Sequence, residues 1–168
     1  YGDHRDLHKE YRRQRQMCIR DRIKSGKIKS FGVSNFTANQ MDMFKGKVEI
    51  LYNQINLSLT HLDHMFDGTL EYMQANNILP MAYSPLGSYF KEENGKIKEV
   101  VDKLKDKYDC TDYQLLISWL LKHPSKVYPV IGTTKHDRIK STLESLKIEI
   151  DLIDWFELLE ASVGKRVP

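Results

Sequence analysis

Gly26-Lys27-Ile28-Lys29-Ser30-Phe31-Gly32-Val33-Ser34-Asn35-Phe36 reads as a short strand, Lys29 to Val33, that delivers two polar residues, Ser34 and Asn35, to its carboxyl end. Just upstream, Ile23-Lys24-Ser25-Gly26 reads as the last turn of a helix with Gly26 as its C-terminal cap. Downstream the same rhythm recurs, an apolar strand followed by an amphipathic helix. Thr37 and Gln40 form a capping box for a helix to about Phe44. The next strand, Glu49 to Ile55, ends in Asn53 and Gln54, and the loop from Asn56 to Phe66 leads to a helix near Gly68 to Asn76. A third strand, Leu79 to Tyr83, stops abruptly at Ser84-Pro85-Leu86-Gly87.

The second part of the chain keeps the pattern. Ile97, Val100, Val101, Leu104 and Tyr108 fall on one helical stripe. Thr111 with Gln114 caps another helix, covered on one face by Leu115, Leu116, Trp119 and Leu120 and ended by His123-Pro124. Val127 to Ile131 is a fourth strand. Gly132-Thr133-Thr134 turns it into a helix carrying Arg138, Ile139, Leu143 and Leu146, and a last helix runs from Asp151 to Gly164 with Ile153, Phe156 and Leu159 on one side. Four strand–helix units in series predict an α/β fold with a parallel sheet.

Composition narrows the function classes. The 168 residues suffice for one domain with a core but fall short of the roughly 250 of a closed (β/α)8 barrel. No run approaches the ~18 apolar residues of a membrane span, and the first residues lack the apolar stretch of a signal peptide, so a cytoplasmic protein is expected. Cys18 and Cys110 stand in no metal or disulfide spacing and read as free thiols. Residues 1–30 hold ten Lys/Arg and four Asp/Glu, leaving 16 of the chain's 26 basic and 19 of its 23 acidic residues to the rest. The basicity therefore belongs to the amino-terminal arm. With no binding fold around it and an acidic body behind it, nucleic acid is a disfavoured partner.

In parallel α/β folds ligands bind beyond the carboxyl ends of the strands, so the polar clusters there are read together. Ser34 and Asn35 suit either capping or ligand contact, and Gln54 either a loop amide or a ligand amide. Tyr83 could be core or a ring stacked on an aromatic ligand. The Gly132-Thr133-Thr134 turn with Arg138 offers N–H groups, hydroxyls and a guanidinium fork, a set that suits a phosphate; the bland reading is a surface arginine. His61, Asp63 and His64 lack a third metal ligand and read as loop polarity.

Phe31-Gly32-Val33-Ser34-Asn35-Phe36, Tyr52-Asn53-Gln54, Ala82-Tyr83-Ser84-Pro85-Leu86-Gly87 and Val130-Ile131-Gly132-Thr133-Thr134 with Arg138-Ile139, in this order and spacing, resemble the second half of an aldo-keto reductase. The closing residues, Glu160 to Pro168, are similar to the C-terminus of a bacterial subgroup of that family. The resemblance implies the C-terminal half of a (β/α)8 barrel, with about four parallel strands, and an oxidoreductase that moves a hydride between NADP and an aldehyde or ketone. It implies that Ser34, Asn35 and Gln54 hold the nicotinamide carboxamide and that Tyr83 stacks on the ring. Ser84, Pro85, Leu86 and Gly87 would cradle the pyrophosphate, and Gly132, Thr133, Thr134 and Arg138 the adenosine 2′-phosphate. Many family members have Lys-Ser where this chain has Gly132-Thr133, so NAD stands as the alternative cofactor.

The family's catalytic Asp, Tyr, Lys and His lie on its first four strands, to which nothing in this sequence corresponds, so no catalytic residue is assigned. The expected organisation is a basic arm over 1–22, irregular or helical and foreign to the family, and a partial barrel over 23–168. A sequencing, assembly or reading-frame error would account for such an arm at a genuine gene end. Four strands leave two open edges, through which self-association is expected. The leading expectation is thus an inactive fragment that keeps its cofactor residues; the alternative is a non-catalytic dinucleotide-binding, phosphate-binding or interaction module.

Overall fold

The computed structural model describes residues 18–91 and 94–167; most of the basic arm expected over 1–22 lies outside the described residues. Residues 18–24 form helix α1. Gly26, at φ +71°, ends it as expected, and Lys27 and Ile28 both donate back to the Arg22 carbonyl. Those bonds hold the chain in the cap turn, so β1 is only Gly32–Ser34 and not the Lys29–Val33 of the sequence reading.

Helix α2 (Ala38–Asp42) is opened by the Thr37–Gln40 capping box, and β2 runs Tyr52–Asn56, later than the expected Glu49–Ile55. Short helices α3 (Asp63–Phe66) and α4 (Thr69–Ala75) follow, then β3 at Leu79–Tyr83, as read from the sequence. The Thr111–Gln114 box opens α6 (Asp112–Leu121), which follows α5 (Gly95–Lys107). Strand β4 is limited to Tyr128–Pro129, because Pro129 has no N–H to give the ladder, although Val130 still donates to the Ala82 carbonyl at 2.8 Å. Helix α7 (His136–Glu144), a 3₁₀ turn (Ser145–Lys147) and α8 (Leu152–Val163) complete the described chain.

The strands lie in the order β1-β2-β3-β4 and every pairing is parallel. All four carboxyl ends therefore point the same way. Register places Ser34, Gln54, Met81 and Tyr128 in one row, and Asn56 beside Tyr83 two residues on. Side chains alternate across a strand, so these residues share a face. The opposite face packs Val33, Ile55 and Ala82 against the helices in a core with Met41, Leu70, Met73, Leu104, Leu116 and Trp119.

Two helix faces differ from expectation. In α8, Ile153 is 82% exposed and Phe156 is exposed, whereas Asp154, Trp155, Leu158 and Leu159 are buried. Trp155 stacks on Trp119 with centroids 5.2 Å apart and planes within 9°, and each indole N–H donates to the other residue's carbonyl, at 3.1 and 2.9 Å. That reciprocal pair sets the rotation of the helix. In α7 no residue is buried, and Ile139 and Leu143, with Leu146 just beyond, all face outward.

Candidate functional site

At the end of β1, Ser34 Oγ donates to the Gln54 carbonyl at 3.0 Å, and the Asn35 backbone N–H donates to the same oxygen at 2.9 Å. Neither residue caps a helix; Thr37 does that. Asn35 adopts a left-handed backbone, φ +53°, which an asparagine tolerates better than most residues and which turns its amide toward the neighbouring strand ends. Its Nδ2 donates to Tyr83 Oη at 3.1 Å, and its Oδ1 accepts from the Asn56 N–H at 3.3 Å. One side chain thus links the ends of β1, β2 and β3.

Asn53 and Gln54 point opposite ways. Asn53 is buried, donating to the Phe36 carbonyl at 2.7 Å and accepting from the Phe36 N–H at 3.3 Å, so it fastens the chain after β1. Gln54 lies on the open face, and its amide makes no hydrogen bond among the described residues. Asn56, which the sequence reading passed over, has a buried Oδ1 with no hydrogen-bond partner. It follows Gln54 by two positions, and that strand period could have drawn attention to it.

Beyond β3 the backbone bends sharply: Ser84 takes φ +50° and Gly87 φ +53°. A Cβ on Gly87 would lie 2.0 Å from Thr60 Oγ1 and 2.4 Å from Ser58 Oγ, so only glycine lets this loop approach the 58–61 turn so closely. The Ser88 N–H then donates to Thr60 Oγ1 at 2.9 Å. Tyr89 is buried and donates to Asp112 Oδ2 at 2.9 Å; burial and then the Asp112 carboxylate hold its phenol well above the usual tyrosine range. The loop is therefore pinned from both sides.

A cavity of about 220 Å³ joins this loop to the end of β4. Ser84, Pro85, Leu86 and Gly87 line one side and Gly132, Thr133 and Arg138 the other, with Tyr113 between them. Tyr113 carries no local signal in the sequence, because only the packing of α6 beside α7 brings it there. Thr134 is exposed and outside the lining. The turn does not cap α7 directly: Lys135 is the N-cap residue, and its N–H donates to Thr133 Oγ1 at 3.2 Å. Two roomier hollows, of about 450 and 530 Å³, open toward the amino ends of β1 and β2, beside Phe44 and Tyr72 and beside Arg20 and Lys24. Neither touches the strand-end clusters, so convergence of polar groups marks the site better than volume does. His61 and His64 face different carboxylates, Asp63 at 3.7 Å and Asp67 at 3.1 Å.

The model of the aldo/keto reductase family matches residues 4–161, which takes in most of the basic arm as well as the sheet. The chain belongs to the aldo/keto reductase family. It is similar to a 6-dehydroglucose reductase of Agrobacterium fabrum, 34% identical over 149 residues, covering 86% of this chain and 50% of that protein. It spans about half the length of the curated relatives it matches. Among solved structures, the thermostable aldo-keto reductase Tm1743, in complex with the inhibitor epalrestat, superimposes with a TM-score of 0.79 at 23% identity, covering 87% of this chain and 53% of that one. A Bombyx mori aldo-keto reductase in complex with NADP gives a TM-score of 0.71 at 22% identity, with 85% and 48% covered. The four parallel strands are thus the second half of the family's (β/α)8 barrel.

Proposed function

We propose that the carboxyl end of this sheet holds the nicotinamide dinucleotide of an aldo-keto reductase, NADP(H) in the first instance with NAD as the alternative. The observation that supports this most is the continuity of the surface. Ser34, Asn35, Gln54 and Tyr83 adjoin, through Ser84, the cavity lined by Ser84–Gly87, Gly132, Thr133 and Arg138. The residues fit such a ligand: the Gln54 amide makes no hydrogen bond among the described residues, Asn56 Oδ1 two positions along the same strand is buried without a partner, and Arg138 makes no ion pair among the described residues. When bound, the cofactor would supply a hydride for an aldehyde or ketone.

In this reading Ser34, Asn35 and Gln54 orient a carboxamide, Tyr83 presents its ring, the Ser84–Gly87 backbone faces a pyrophosphate, and Thr133 and Arg138 take a 2′-phosphate, with Gly132 giving access. Thr134, outside the cavity, is the weakest member of the set. We assign no catalytic residue, and we propose that the chain binds the cofactor without completing the reduction. Self-association through β1 and β4 and a cytoplasmic location belong to the same proposal; no helix among the described residues is long and apolar enough to cross a membrane.

Titration with NADPH, followed by quenching of tryptophan fluorescence, tests the reading. Arg138→Ala should weaken binding by roughly thirtyfold, the worth of about 2 kcal/mol for hydrogen bonds to a charged group. Binding that is indifferent to Arg138 would sink the phosphate assignment. Turnover of a test aldehyde by the chain would overturn the claim that it binds without reacting. Turnover is also what separates an enzyme from the alternative, a binding or interaction module.

A further inference from the structure

Helix α7 carries Arg138 yet buries none of its nine residues. Only Ser141 and Thr142 are partly covered, and both face α6. Apolar burial, the usual anchor of a surface helix, is missing here. Polar contacts to α6 take its place. Tyr113 Oη lies 2.5 Å from Thr142 Oγ1, Gln114 Nε2 donates to the Ser141 carbonyl at 3.4 Å, and beyond the helix Ser118 Oγ shares its one hydrogen between the Gln114 carbonyl at 2.7 Å and the Ser145 carbonyl at 2.9 Å.

The direction of the shortest contact follows from its neighbour. Thr142 Oγ1 donates its one hydrogen to the Arg138 carbonyl at 2.8 Å, so in the Tyr113 contact the threonine oxygen must accept. Tyr113 O–H therefore feeds a two-step relay that ends on the backbone of Arg138. Tyr113 is itself fixed in the first turn of α6, between the two members of the Thr111–Gln114 capping box, and its ring lines the same cavity as the Arg138 side chain.

We infer that Tyr113 is a positioning residue for Arg138 and sets how well the site tells a phosphate-bearing adenosine from one without that phosphate. The inference rests on the cofactor reading above. It predicts an effect confined to one end of the ligand, because Ser34, Asn35, Gln54 and Tyr83 are held by contacts that do not involve α6 or α7.

The test is fluorescence titration of the full chain with NADPH and with NADH, which differ only in the 2′-phosphate. Tyr113→Phe keeps the ring and removes the hydroxyl; it is expected to weaken NADPH binding about fivefold while leaving NADH within twofold, as one lost hydrogen bond implies. Thr142→Val, which removes both steps of the relay, should weaken NADPH binding at least as much, Thr142→Ser should bind as the unaltered chain does, and the Tyr113→Phe/Thr142→Val pair should be no worse than Thr142→Val alone, since that change already breaks the Tyr113 contact. Circular dichroism checks that each variant keeps its helix content. If the unaltered chain binds neither nucleotide, the cofactor reading fails and the inference falls with it. If it binds NADPH and Tyr113→Phe changes nothing, or weakens both nucleotides equally, the cofactor reading stands and the positioning role of Tyr113 is overturned.

Discussion

Gly87 combines two demands that one residue type can meet. Its φ of +53° lies in the left-handed region, and a Cβ would come within 2.0 Å of Thr60 Oγ1. The hydroxyl cannot simply turn aside, because it accepts from the Ser88 N–H at 2.9 Å. Gly87→Ala is expected to cost about 2 kcal/mol of stability, in the range for strained backbone, and to weaken NADPH binding by shifting the Ser84–Gly87 loop. Urea unfolding beside the nucleotide titration checks both, and an alanine variant as stable as the parent would show that the loop has room to move. The sequence announced the turn through Pro85 and Gly87 but gave no hint of Thr60, a partner 27 positions away in the chain. Asn53 shows the same limit from the other side: as a residue type it resembles Gln54, and only the pleat of the strand sends it inward to Phe36 while Gln54 faces out.

At the level of elements, the segments that matched expectation are those specified locally. Both capping boxes formed, and the α5 stripe buried Ile97, Val101 and Leu104 as its spacing required. The face of α8 was not legible, because it answers to Trp119 on another helix. The same joint carries a pH dependence. The His123 ring lies 6.0 Å from Trp155, and its Nδ1 accepts from the Ser125 N–H at 3.2 Å. Burial holds its pKa below the ordinary value, against the pull of Glu71. A neutral ring is thus favoured by the fold, so its contribution is full above the unfolded value of about 6.5 and is lost as pH falls from there through the lower folded value. Asp154 acts in a more acidic window. Burial raises its pKa, but hydrogen bonds from Lys107 at 2.6 Å and Tyr108 at 2.5 Å outweigh this and lower it, so its contribution is lost only below the ordinary carboxylate range. The urea midpoint is therefore expected to drop between pH 7 and 5, and His123→Asn, which keeps an acceptor for Ser125, should flatten that drop without changing the acid limb set by Asp154. A variant with the parent's slope would assign the titration elsewhere.

At the scale of the molecule, the helices cover one face of the sheet, and the other carries Ser34, Gln54, Met81 and Tyr128 in a single row. The repeating strand–helix order made this parallel topology readable in advance, since each crossover had to return to the same end. What the order could not convey is how little pairing the outer strands keep. β1 offers three residues and β4 two, and the β4 side chain Tyr128 is 52% exposed beside a backbone edge with no partner among the described residues. A free edge with an exposed aromatic favours pairing with another chain, and natural sheets often blunt such edges with lysine. Sedimentation should therefore show the weight-average mass rising with protein concentration, accompanied by a rise in melting temperature, because association stabilises the folded form by mass action. Tyr128→Lys should remove both trends while leaving NADPH binding intact, as Tyr128 is not among the residues lining the Arg138 cavity. If the unaltered chain sediments as one species at every concentration, these edges do not drive association, and if Tyr128→Lys still associates, the contact lies on some other surface.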